Sequence, residues 1–160
     1  MEEPISQSPG PPLPPQPPQP SLPPQQPPLT PYEERTWAML AHLSILVNLI
    51  SAFMGVVAAL VIYLVYKDRS RYVAYHSLQS VVFQLVFWVG GGALVGAGFA
   101  ITWFLTVIGI GCLLIPFATV LLLVPMAAVI YGVIGGIQCG QGQDFKYWLV
   151  GDWVRGMGAN

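Results

Sequence analysis

Charge is what this sequence lacks most. Only 8% of its 160 residues are Asp, Glu, Lys or Arg, against about 25% in ordinary soluble domains. No charged residue occurs from Thr36 to Tyr66 or from Tyr72 to Gln143. A chain of this size could not cover a water-facing surface with so few charges, which excludes a soluble enzyme. Cysteine is scarce too: Cys112 and Cys139 alone make no disulfide framework, so a small secreted scaffold is excluded. Basic residues number six against seven acids, with no basic patch, which excludes a nucleic-acid binder. Acids are missing from the apolar stretches altogether. Glu2, Glu3, Glu33, Glu34, Asp68, Asp144 and Asp152 all lie outside them, which counts against a proton-coupled transporter.

What is present is apolar: 54% of the residues are hydrophobic. The composition implies an all-α integral membrane protein with the lipid bilayer as its first partner. Residues 1–31 stand apart. They hold 14 of the 16 prolines and are expected to form a disordered, polyproline-like cytosolic tail, either a solvated spacer or a ligand for an aromatic groove. The start, Met1-Glu2-Glu3-Pro4, has neither the basic residues nor the apolar core of a signal peptide. Residues 32–155 are expected to form the membrane domain, and residues 156–160 a short tail.

Within that domain the expected architecture is a four-helix transmembrane bundle, two short helices followed by two long ones. Thr30 is placed to cap the first helix, with Pro31 in its first turn and Glu33 and Glu34 at its positive end. The apolar run from Trp37 to Tyr66 would be about 45 Å long as a single helix. Asn48, Ser51 and Gly55 predict a break near 50–55. The result is two helices of roughly 22 Å each, short enough to form a re-entrant hairpin. A third helix is expected from about Tyr72 to Val107, a break at Gly109-Ile110-Gly111, and a fourth helix from Cys112 to Gln138 that Pro116 and Pro125 can kink. Tyr147, Trp148 and Trp153 are placed like interfacial anchors. With four crossings every Lys and Arg falls on one side. By the positive-inside rule both termini are then cytosolic, in a multi-pass protein of the cytoplasmic (inner) membrane.

Small residues predict how such a bundle packs. Gly92 and Gly96 make one small-xxx-small step, and Gly132, Gly136 and Gly140 make two. These are expected to join helices three and four, or to form a homodimer face. Ser44, Asn48 and Ser51 share one face of the first helix and read as interhelical hydrogen bonders.

The candidate chemistry is thin. His42 and His76 sit on different helices, so paired ligation of a haem or metal is conceivable, but no CxxCH or HExxH accompanies them and no carboxylate is near in sequence. Structural histidines are the favoured reading, with no cofactor and no catalytic residues. Cys112 and Cys139 would lie about 40 Å apart along one helix, too far to bridge. Gly90-Gly91-Gly92 has no Lys-Ser/Thr after it and is no phosphate loop.

Three stretches carry a resemblance: Glu34-Arg35-Thr36-Trp37-Ala38-Met39-Leu40-Ala41-His42-Leu43, Tyr72-Val73-Ala74-Tyr75-His76-Ser77-Leu78-Gln79-Ser80, and Gly142-Gln143-Asp144-Phe145-Lys146-Tyr147-Trp148. Together they resemble the small bacterial membrane proteins of the DUF 4870, or Tic-twenty-like, family. Trp148 departs from that pattern, which usually has proline there. The resemblance implies four helical segments with cytosolic termini, and no mechanism. Its distant chloroplast relative belongs to a protein-import complex, which makes a translocation or permeation component the alternative to a non-enzymatic subunit or scaffold with membrane-protein partners. Arg35, Trp37, His42, His76 and Gln79, all motif positions, are expected to meet in one cluster at the cytosolic ends of the first and third helices.

Overall fold

The computed structural model describes residues 27–157. The expectations for the proline-rich tail up to residue 26 and for the last three residues lie outside the described residues. Every regular element among the described residues is helical. The first hairpin comprises α1 (Pro31–Leu43), a 3-10 turn (Ser44–Val47), α2 (Asn48–Ser51) and α3 (Met54–Tyr66). A long second hairpin follows. Its rising arm is α4 (Arg71–Gln84), a π-helical turn (Leu85–Gly90) and α5 (Gly91–Thr106). Its returning arm is α6 (Ile115–Val120) and α7 (Leu123–Gly140). The chain closes with α8 (Gly151–Met157).

Local chemistry sets the boundaries. The Thr30 hydroxyl accepts the Glu33 backbone N–H at 3.3 Å, and the Glu33 carboxylate accepts the Thr30 N–H at 2.8 Å. This capping box satisfies two N–H groups that the helix start leaves orphaned. The first hairpin turns at Ala52, which adopts a left-handed φ of 51°, close to the expected break. Ser70 caps α4 by accepting the Val73 N–H. The long hairpin turns at Gly109, where φ is +81° and a side chain would be strained.

Two helical stretches, Arg71–Thr106 and Ile115–Gly140, are long and apolar enough to cross a membrane, while Met54–Tyr66 is apolar but shorter. Among the described residues two stretches, not four, reach membrane length. The first hairpin ends in apolar side chains with no protein neighbour over them: Ile50, Phe53 and Met54 are all exposed. The far half of the long hairpin is similarly bare, with Trp103, Phe104, Val107 and Phe117 exposed. An apolar surface of this extent marks contact with lipid or with a partner protein.

The core lies at the other end, where α1, α4 and α7 converge. It holds Ala38, Ile45, Phe83, Ala128, Cys139, Phe145, Tyr147 and Val150. Two expectations change here. The Gly132, Gly136 and Gly140 ridge packs on the first helix, not the third. A Cβ on Gly132 would lie 2.9 Å from Ile45, on Gly136 2.9 Å from Leu43, and on Gly140 2.9 Å from the Met39 sulfur. Gly92 and Gly96 touch nothing; it is Gly91 and Gly98 that face Val124 and Leu121 of the returning arm. Glycine spacing marks a smooth ridge without saying what lies opposite.

The second correction concerns Tyr147. Trp148 and Trp153 are exposed as anchors should be, but Tyr147 is 1% exposed. Gly142, with φ +80°, turns the chain back after α7. The segment from Gln143 to Val150 then crosses the open end of the bundle and drives Phe145 and Tyr147 inward. Tyr147 stacks on Phe83 with centroids 3.8 Å apart and planes within 2°.

Candidate functional site

One face of α4 carries His76, Ser80 and Gln84 at i, i+4, i+8, which stacks them in a line along the helix. All three are buried. Burial of polar groups in an apolar bundle is tolerable only with partners, and α1 and the closing segment supply them.

At the inner end, Gln84 Nε2 donates to Ser44 Oγ at 3.0 Å and to Ser80 Oγ at 2.9 Å. Asn48 Nδ2 donates to Gln84 Oε1 at 2.8 Å, and Ser80 Oγ to the Ala41 carbonyl at 2.6 Å. Ser44 and Asn48 are thus the interhelical hydrogen bonders expected of them. Ser51 is not: its hydroxyl donates to the Val47 carbonyl one turn back along the same hairpin arm.

At the outer end the two histidines meet. His42 Nε2 lies 3.5 Å from His76 Nδ1, and His42 Nδ1 lies 3.0 Å from the Tyr147 hydroxyl. Cys139 Sγ is 3.4 Å from the same His76 Nδ1. One nitrogen of each histidine and Cys139 Sγ all lie within 4.8 Å of one another, and all three residues are fully buried. Tyr72 and Tyr75 flank the His76 ring, with centroids at 4.3 and 5.0 Å. His76 Nε2 is buried without a hydrogen-bond partner. What it faces is the Asp144 carboxylate, 3.6 Å away, whose other oxygen accepts from Arg155 at 2.7 Å.

Hydrogen-bond logic orients this chain of groups. If the Tyr147 hydroxyl donates to His42 Nδ1, then His42 Nε2–H donates to His76 Nδ1, and His76 Nε2–H points at Asp144. Burial pushes the Tyr147 phenol well above the usual tyrosine range, so its proton stays in place. Hydrogen bonds to Tyr75 and Asp144 hold the Arg155 guanidinium more firmly in its charged form.

The five motif residues are distributed unevenly. His42, His76 and Gln79 lie in one cluster. Gln79 binds the closing segment on both sides, donating to the Phe145 carbonyl and accepting the Tyr147 N–H, each at 3.1 Å. Arg35 lies at the rim, packed against Gly142. Trp37 lies outside the cluster; it packs on Tyr66 at 4.7 Å and ties α1 to α3.

Three participants escaped the sequence reading: Cys139, Asp144 and Tyr147. Sequence proximity placed no carboxylate near a histidine, whereas the fold brings Asp144 across from 68 positions away. A haem between the histidines does not fit. Their nitrogens are 3.5 Å apart inside a fully buried, filled core, which leaves no slot for a porphyrin. What the donor set can hold is a single small ion.

An all-helical protein with two membrane-length apolar helices, an uncovered apolar girdle and a polar column sealed inside one end is an integral membrane protein. The magnetosome magnetite crystal formation protein family (MamF/MmsF) matches residues 33–154, and the chain belongs to that family. This match overturns the DUF 4870, Tic-twenty-like resemblance: all three stretches that carried it lie inside the matched region. The translocation reading loses its support with it. No curated protein and no solved structure matches the chain.

Proposed function

We propose that this chain is a non-enzymatic subunit of the magnetosome membrane that takes part in forming magnetite crystals through fixed contacts with other membrane proteins. Membership of the magnetite crystal formation family carries this reading. The sealed polar column supports it: its donors and acceptors are spent on joining helices, as in a scaffold, rather than on lining an open path.

The proposed topology has two full crossings, by Arg71–Thr106 and Ile115–Gly140, and a first hairpin that enters and leaves on the same side. A 13-residue α3 spans about 20 Å, short of the roughly 30 Å hydrocarbon core. The pole where the hairpin begins also gathers the basic residues. Glu34 meets Ser70, Arg35 packs on Gly142, and Arg155 pairs with Asp144. By the positive-inside rule this pole is cytosolic.

Three experiments test the reading. Deleting the gene in a magnetite-forming bacterium should change crystal size or number in electron micrographs, and re-expression should restore them; unchanged crystals would sink the role. Capture from native membranes in mild detergent should bring down stoichiometric partners, whereas a bare monomer or homo-oligomer would count against a subunit. For topology, exposed Cys112 should react with an impermeant maleimide from the side opposite the basic pole, and an Ile50→Cys substitution in a Cys112→Ser background should react from neither side.

A further inference from the structure

We propose that His42 Nε2, His76 Nδ1 and Cys139 Sγ bind one divalent first-row transition-metal ion. This goes beyond the proposed membrane role and does not depend on it.

The geometry carries the inference. A tetrahedral ion with bonds of about 2.0–2.1 Å to nitrogen and 2.3 Å to sulfur sets its ligand atoms about 3.4 Å apart for two nitrogens and about 3.6 Å for nitrogen and sulfur. The protein holds the two nitrogens 3.5 Å apart, and the His76 nitrogen and the sulfur 3.4 Å apart. The three donors come from α1, α4 and α7, so the helices fix them before any ion arrives.

The surroundings are those of a built site. A ligating imidazole usually gives its other nitrogen to a carboxylate, carbonyl or hydroxyl, which fixes tautomer and ring. His76 Nε2 faces Asp144 at 3.6 Å, and His42 Nδ1 meets the Tyr147 hydroxyl at 3.0 Å. His76 Nε2 is a fully buried polar atom with no hydrogen bond, an arrangement that native interiors rarely leave unexplained. A cation on Nδ1 polarises Nε2–H toward Asp144 and draws that contact shorter.

Binding balances simply. The Cys139 S–H bond breaks, its proton leaves to solvent, and a sulfur–metal bond forms; no electron changes hands. His42 moves its proton from Nε2 to Nδ1, where the Tyr147 oxygen accepts it, since a hydroxyl serves either tautomer. Two imidazoles and one thiolate suit Zn2+ or Fe2+ and disfavour Mg2+ and Ca2+, which seek oxygen.

The test uses the full chain in mild detergent, stripped by chelator and titrated anaerobically with Co2+. The expected result is saturation at one equivalent, with visible bands of tetrahedral strength and a thiolate-to-cobalt charge-transfer band. Cys139→Ser should abolish the charge-transfer band, Cys112→Ser should leave it unchanged, and Asp144→Asn should weaken binding about 10-fold or more. No thiolate band, or one that survives Cys139→Ser, would overturn the proposal. Should Cys139→Ser fail to fold, X-ray absorption on the cobalt-loaded wild type decides. A shell of two nitrogens, one sulfur and one solvent oxygen supports the site, and an all-oxygen shell overturns it. Zn2+, a d10 ion with the same ligand preferences, should displace the cobalt and bleach its bands at about one equivalent; cobalt bands that survive excess Zn2+ would also overturn it.

Discussion

The side-chain oxygen of Asn48 accepts the backbone N–H of Gly55 at 2.8 Å, closing the first hairpin across its turn. That N–H is among the orphans at the start of α3, in a place where lipid offers no partner. The same Asn48 uses its amide nitrogen to hold Gln84 on α4. One side chain thus fixes the hairpin and docks it.

Gly55→Ala should therefore destabilise the protein by about 2–3 kcal/mol. The new Cβ would strike the Ser44 carbonyl oxygen and sit 2.6 Å from Asn48 Oδ1, and a backbone carbonyl cannot step aside. Gly92→Ala is the comparator. It meets nothing within 4 Å and should be neutral or gain up to about 1 kcal/mol of helix propensity. Denaturation in detergent measures both.

Gln84→Leu should cost about 1–3 kcal/mol, because it leaves Asn48, Ser44 and Ser80 short of partners in a buried layer. In a double-mutant cycle with Asn48→Leu, the coupling should fall near 1 kcal/mol, within the range measured for hydrogen bonds between membrane helices. Zero coupling would mean that the two side chains do not act together.

Tyr147 separates ring from hydroxyl. Tyr147→Ala removes the ring stacked on Phe83 and should cost about 3–5 kcal/mol. Tyr147→Phe keeps the ring and deletes only the hydroxyl beside His42, for a smaller cost of about 1–3 kcal/mol. Trp148→Ala, at an exposed position, should leave the detergent melting temperature unchanged.

The helix cap gives a pH dependence. The Thr30 backbone N–H and hydroxyl hold the Glu33 carboxyl below the usual glutamate range. With the folded value depressed, the cap's contribution is present above the ordinary glutamate pKa and is lost as pH falls through the folded one. Because Thr30→Ala deletes the hydroxyl, Glu33, followed by NMR, should titrate closer to the ordinary value, and stability should drop by about 1 kcal/mol at neutral pH. An unmoved Glu33 titration would show that the hydroxyl contributes nothing.

Legibility followed sequence distance. The Thr30 cap, the break near Ala52 and the turn at Gly109 were readable because each depends on residues within a turn or two. His42 and His76 stood out as the only histidines, but their meeting at 3.5 Å depends on how α1 docks on α4. The glycine ridges were readable as ridges, but not that Gly132, Gly136 and Gly140 would face the first helix. The Tyr147-Trp148 pair read as two anchors, and the fold buried the first against Phe83 and left the second exposed at the turn that follows.

By itself, then, the sequence determined that this is an all-helical membrane protein, since two long uncharged stretches have no stable home in water and no way to satisfy their backbone in lipid except as helices. It also determined the Thr30 cap, the break near residues 50–55 and the turn at Gly109. Only the tertiary structure decided what they surround. Gly142 turns the closing segment back over the open end of the bundle, and this one reversal brings Tyr147 to His42 and Asp144 to His76. Cys139, on the last turn of α7, completes the group. No local pattern encodes such a meeting, because it arises from long-range packing among α1, α4 and α7, whose partners lie many tens of residues apart in the chain.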